Sequence, residues 1–306
     1  MFLSGISVTC FAASYAVAWL LELSRLFFRS GVRGAVMVGF AAAGWAAQSM
    51  FLGYRAVHAA SSPLSSTYDW YLLAAWLLVV GYFYLTYYYP RATVGLFVLP
   101  LVLGLIGAAA FLADPRPFAP EPASRVWGAV HGAFLLLGTV AVMVGFVAGL
   151  MYLVQAARLK RKLPPSPRVR LPSLELLERL NSRVILFSAL MVAIGFAAGI
   201  ILKVTGQARV EELPWSDPVV WSSGLMLSWL VAAALFNAFY KPARHGRKVA
   251  YLTVANFVFL LISLGVLMLV NTEHGGQKRS TKDQVRSTKF ADKVKGLTAS
   301  GGGGHA

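Results

Sequence analysis

The sequence predicts an all-α protein, a polytopic membrane bundle of about eight transmembrane helices. Three observations carry that expectation. Of 306 residues, 58% are hydrophobic and only 13% charged, and the mean hydropathy is +0.65, so a water-soluble globule of this size could not hide its apolar side chains. Those side chains fall in runs of about 20 or more, the length that a hydrocarbon core ~30 Å thick requires at about 1.5 Å per residue. The bases, which give a formal net charge of +16, lie between the runs and in the C-terminal tail. Positive-inside topology and attraction to anionic lipid account for that charge, so membrane lipid rather than nucleic acid is the expected partner.

The runs cover residues 6–28, 35–57, 70–89, 93–112, 127–157, 184–203, 219–240 and 249–270. Each is expected to be a helix, because lipid offers backbone N–H and C=O groups no partner. The first run holds Cys10, the single cysteine, which excludes an internal disulfide, a CxxC redox pair and a CxxCH haem attachment site. It lacks a basic n-region and is long enough to span, so it is expected to be retained. Glu22, near its end, is expected to pair with Arg25 at i+3. The second run ends at His58, with Arg55 one turn earlier. The third opens at Trp70 and closes in Tyr82, Phe83, Tyr84, Tyr87, Tyr88 and Tyr89, and the fourth reads LFVLPLVLGLIGAAA.

The fifth run is the longest. It follows Arg125, carries His131 four residues inside Trp127, and ends in the bases of AARLKRK. A Pro-rich linker, LPPSPRVRLP, then leads into SLELLERLNSR. Ser173 is placed to N-cap a helix there, with Glu175 in its first turn and Leu174, Leu177 and Leu180 on one face. An amphipathic helix lying on the interface before span six is expected. Span seven follows VEELPWSDPVVW, which joins acids and tryptophans. Residues 1–271 thus form a membrane domain, and 272–306, ending ASGGGGHA, a basic, Gly-rich tail expected to be disordered.

Loop charge orients the bundle. Arg29 and Arg33, Arg91, the eight bases from Arg158 to Arg183, and the four from Lys241 to Lys248 fall in loops 1–2, 3–4, 5–6 and 7–8. That side is expected to be cytoplasmic, with loops 2–3, 4–5 and 6–7 and both termini outside. The basic tail runs against this assignment, but a terminal tail weighs less than four concordant loops.

The residues that could carry chemistry gather at the outer end. His58 and His131 lie at similar depth on different spans. Neutral imidazole binds iron, copper and zinc, and a flat apolar macrocycle such as haem suits a cleft between apolar helices with axial imidazoles. Arg55 and Arg125 would match its propionates. The competing reading makes both histidines interfacial polar residues and both arginines snorkelling ones. Trp70, Trp127, Trp215 and Trp221 suit an aromatic belt, while Trp215 and Trp221 around Asp217 and Pro218 could also cover a planar ligand. His245 falls among loop bases, and His274 and His305 in the tail. No GxSxG, HExxH, Walker or dinucleotide fingerprint is present, and no span carries a carboxylate pair for a proton relay.

Taken in order, these pieces resemble the cytochrome c assembly proteins of the CcsA and CcmC type and their HemX-like relatives. The likeness covers most of residues 40–270. It rests on His58 closing a span, the fourth run, the His131 helix with GLMYLVQAARLKRK, the segment LPSLELLERLNSRVILFSALMVAIGFAAGII, and HGRKVA with His245, Gly246 and Arg247. WSDPVVW, with Trp215, Asp217, Pro218 and Trp221, stands where that family carries its tryptophan-rich, haem-handling WWD segment. Here the tryptophan run is shortened, and Val219 and Val220 replace the Lys-Glu that usually follows Asp-Pro. The resemblance implies haem bound by His58 and His131 and presented at the outer face during c-type cytochrome assembly. Cytochrome c biogenesis membrane proteins and apocytochrome are the partners it implies, and any thioether chemistry would belong to them. The other reading it allows is a HemX-like regulator that binds no haem and controls a haem-biosynthesis enzyme through the basic loop 5–6. A transporter is disfavoured because no Gly/Pro-broken spans recur in corresponding halves.

Overall fold

A computed structural model describes residues 7–25, 27, 32–58, 66–90, 92–113, 125–162, 170–204, 218–239 and 247–269. They form eight helices: α1 Val8–Ser24, α2 Val32–His58, α3 Thr67–Tyr88, α4 Gly95–Leu112, α5 Arg125–Lys160, α6 Leu174–Val204, α7 Pro218–Phe239 and α8 Arg247–Leu269. Seven, α2 to α8, are long and apolar enough to cross a membrane, and α1, with 17 described residues, is shorter. There is no strand among the described residues. The chain is a multi-pass membrane helix bundle.

The helices make two groups of four. In the first, α1 packs on α2 and α4, and α3 packs on the same two. In the second, α5 and α7 both pack on α6 and α8. α5 joins the groups through α3 and α4. At 36 residues it is about 54 Å long, well beyond the ~30 Å hydrocarbon core, so its basic end projects from the membrane.

One expectation about α6 changes. The leucine face of SLELLERLNSR does not form a separate interfacial helix: α6 runs unbroken from Leu174 to Val204. Leu177 is buried and Leu174 and Leu180 pack against the core, so the face is covered by protein. The cap itself is as expected, since Ser173 Oγ accepts from the Leu176 N–H at 3.3 Å. A good cap with no breaker between it and the span lets one helix absorb both segments.

Lipid tails give no hydrophobic drive for helix association, so close packing and interhelical hydrogen bonds hold the bundle. Tyr15 of α1 donates to Gln48 Oε1 of α2 at 2.7 Å, and Gln48 Nε2 donates to the Leu72 carbonyl of α3 at 2.9 Å. Trp76 Nε1 donates to Ser49 Oγ at 2.8 Å, beside a stacked Trp45–Trp76 pair. In the second group, Trp229 Nε1 donates to Asn256 Oδ1 and Asn237 Nδ2 to Ser182 Oγ, both at 2.9 Å. Glycines bring α5 against its neighbours. A Cβ at Gly138 would lie 2.5 Å from Val192 Cγ2, and one at Gly149 2.5 Å from Thr253 Oγ1.

At the basic end, Glu22 pairs with Arg25 at 3.2 Å as expected. The Thr93 N–H donates to the Arg170 carbonyl at 2.8 Å, and Arg247 Nη2 donates to the Ala156 carbonyl at 2.9 Å. The arginine that opens α8 therefore ties α8 to the far end of α5.

Candidate functional site

The opposite end collects the ends of α2 and α6 and the starts of α3, α5 and α7. His58 is the last residue of α2 and is exposed. Its ring stacks on Tyr54 one turn earlier, with centroids 4.1 Å apart, and Nδ1 lies 3.0 Å from the Tyr54 carbonyl oxygen. His131 is half-buried on α5, and its Nδ1 lies 2.7 Å from the Gly195 carbonyl oxygen of α6. A carbonyl can only accept, so hydrogen bonding puts a proton on Nδ1 in both rings, and in the neutral ring Nε2 is then the lone-pair nitrogen. Metal-binding imidazoles are oriented in this way: the second nitrogen is fixed by an acceptor and the first faces the metal. In its neutral form each ring thus keeps the kind of donor atom that an iron takes.

Glycine makes room for the His131 ring. A Cβ at Gly199 would lie 2.8 Å from both Cε1 and Nδ1, closer than real side chains approach. Gly195 supplies the carbonyl, and a Cβ there would lie 3.0 Å from the Leu135 backbone nitrogen. The spacing of Gly195 and Gly199, one helical turn, places both under the same ring.

The first turn of α3 touches both histidine-bearing helices. Ser66 caps it, accepting from the Asp69 N–H at 3.2 Å and donating its hydroxyl to Asp69 Oδ2 at 2.7 Å. Asp69 is 4% exposed. Its charge is balanced by Arg55 of α2, whose Nε donates to Oδ1 at 2.6 Å and Nη2 to Oδ2 at 3.4 Å. The guanidinium carbon also sits 5.0 Å from the Tyr68 ring centroid, within cation–π range. The next residue, Trp70, lies against α5: a Cβ on Gly132 would fall 2.7 Å from its ring. Gly132 is the neighbour of His131.

The structure thus brings His58, Arg55 and His131 to one end, with the turn of α3 between α2 and α5. No hydrogen bond or ring contact joins the two histidines among the described residues. Arg125 opens α5 at this end, and Trp221, in the first turn of α7, is 70% exposed. Trp215 and Asp217 lie outside the described residues. Sequence reasoning passed over Asp69, Gly132, Gly195 and Gly199 and took Trp70 for a belt residue. The available signals were an acid in the first turn of an apolar span and a glycine directly after a span histidine.

Comparison with known proteins agrees with this architecture. The family model for the cytochrome C assembly protein matches residues 64–274. The chain is similar to the cytochrome c biogenesis protein CcsA of Guillardia theta, with 25% identity over 242 residues, 72% of this chain and 78% of that protein. It is also similar to CcsA of Microcystis aeruginosa, with 24% identity over 269 residues, 71% of this chain and 80% of that one. No solved structure matches it significantly. Since the family match covers all but the first two helices, the chain belongs to the cytochrome c assembly protein family, and with it goes a role in c-type cytochrome biogenesis.

Proposed function

We propose that the protein binds haem between the ends of α2 and α5 and presents it at the outer face of the cell membrane during c-type cytochrome assembly. The observation that carries this reading is the matched state of the two imidazoles. Each has Nδ1 committed to a backbone carbonyl at the same end of the bundle, so that in the neutral ring Nε2 is free to ligate. His58 and His131 would hold the haem iron. Haem supplies the iron they hold and is itself the cargo. Arg55, oriented by Asp69, and Arg125 are the cations for its propionates. Trp215, Asp217 and Trp221, on and before α7, would cover the macrocycle. Support for the outer location comes from the sequence, whose bases concentrate in loops 1–2, 3–4, 5–6 and 7–8. Membrane lipid, other cytochrome c biogenesis proteins and apocytochrome are the proposed partners, and any thioether bond is formed with them.

The regulator reading needs an exposed partner surface on the basic side. Its best candidate, the Leu174, Leu177 and Leu180 face, packs inside the bundle, which leaves it exposed bases such as Lys160, Arg161, Lys162, Arg170, Arg179 and Arg183. The two readings separate on haem itself. Protein purified in detergent and loaded with haem should show a Soret band that weakens in His58→Ala and in His131→Ala. A spectrum unchanged in both variants would sink the haem-ligation reading and favour the regulator.

A further inference from the structure

We infer that the first turn of α3 sets the separation and orientation of His58 and His131, with Asp69 and Trp70 as positioning residues. This rests on the proposed pairing of the two histidines as ligands of one iron. Such ligation demands a fixed geometry: two imidazole nitrogens that share an iron must be held a few ångströms apart. Yet the two histidines stand on helices from different four-helix groups. α2 belongs to the first and α5 to the second, and α3 packs on both.

The turn is built for that task. Consecutive helical residues point about 100° apart, so neighbours in sequence can hold different helices. Asp69 faces α2 and takes the Arg55 guanidinium with both carboxylate oxygens. Arg55 lies one turn before His58. Trp70 faces α5 and fills the space where Gly132 has no side chain, directly beside His131. Both anchors are stiff. The Asp69 carboxylate is held by the charge-assisted pair and by the Ser66 hydroxyl, with its own N–H returned to Ser66. The Trp70 ring is wedged against Gly132, within 2.7 Å of where a Cβ would stand. The opposite side of His131 is held by Gly195 and Gly199 of α6, while the turn of α3 ties the His131 segment toward α2.

The test measures the spacing without haem. In full-length protein with Cys10→Ser, nitroxide labels on His58→Cys and His131→Cys report the distance distribution between the two positions by pulsed EPR. A second pair, on Leu186→Cys of α6 and Leu261→Cys of α8, both exposed, reports on the second helix group. Asp69→Asn keeps the size of the side chain and removes its charge, and Trp70→Phe keeps an aromatic ring and vacates the Gly132 slot. The expected result is a broadened or shifted 58–131 distribution in each variant with the 186–261 distribution unchanged. An unchanged 58–131 distribution in both variants would overturn the inference. So would a change in both pairs, which would make these residues general supports of the fold. The haem spectra of His58→Ala and His131→Ala decide the ligation reading separately. An unchanged Soret band with a broadened 58–131 distance would reject the ligand pairing and keep the spacer.

Discussion

His131 and Gly199 occupy one slot between α5 and α6. The ring lies where a Cβ on Gly199 would come within 2.8 Å of its Cε1 and Nδ1, while Nδ1 donates to the Gly195 carbonyl at 2.7 Å. One methyl group is therefore enough to move the imidazole. Gly199→Ala should break the Nδ1 bond and turn Nε2 away from its present direction. Overpacking of this kind costs ~1–3 kcal/mol, so the bundle should survive, with a thermal midpoint in detergent lowered by several degrees. Haem retained after gel filtration should fall several-fold, as in His131→Ala. Full retention in Gly199→Ala would show that the ring direction does not matter.

Arg55 and Asp69 supply a cleaner test of charge. The Asp69 side chain is 6% exposed and that of Arg55 30%, so the pair is neither a surface bridge nor fully buried. Removing one member of a buried pair costs ~3–5 kcal/mol because it strands the other charge, and the exposure of Arg55 should reduce this to ~1–3 kcal/mol. Arg55→Gln and Asp69→Asn should each destabilise the protein by such an amount. The double variant should be less destabilised than the sum, with a coupling energy of at least ~0.5 kcal/mol. Equilibrium unfolding in mixed micelles measures all three. Strict additivity would mean the pair contributes nothing at this site.

Span positions were legible in the sequence because the bilayer imposes a length and an apolar character that survive without any knowledge of packing. α2 ends at His58 as its run did, and Ser173 caps α6 as its place before SLELLERLNSR implied. Contacts between helices were not legible. Arg55 looked like a snorkelling or ligand-binding cation because its carboxylate partner lies 14 residues away, on the next helix, and apolar periodicity carries no information about which faces meet. Trp70 looked like a belt residue because it lies at the membrane boundary, and the same boundary is where Gly132 opens a slot for it. The leucines of residues 174–180 have the spacing of an interfacial helix, and whether lipid or protein covers such a face depends on helices elsewhere in the chain.

Gln48 is the expected anchor of α1. This helix is the shortest described, and Gln48 of α2, fully buried, accepts from Tyr15 and donates to the Leu72 carbonyl of α3. Interhelical hydrogen bonds in membranes average ~0.6 kcal/mol and reach ~1.7, because side chains in the unfolded bilayer state also find partners. Tyr15→Phe, which removes one donor and leaves the ring in place, should therefore cost ~1 kcal/mol. Gln48→Ala removes both bonds and opens a void among three helices, so it should cost more, ~2–4 kcal/mol once the lost packing is included. The damage should be local: α1 should become the first segment cut in limited proteolysis, while haem retention stays at the parental level because neither residue lies at the histidine site. Equal protease sensitivity in Gln48→Ala and the parent protein would show that α1 is held by its apolar contacts alone.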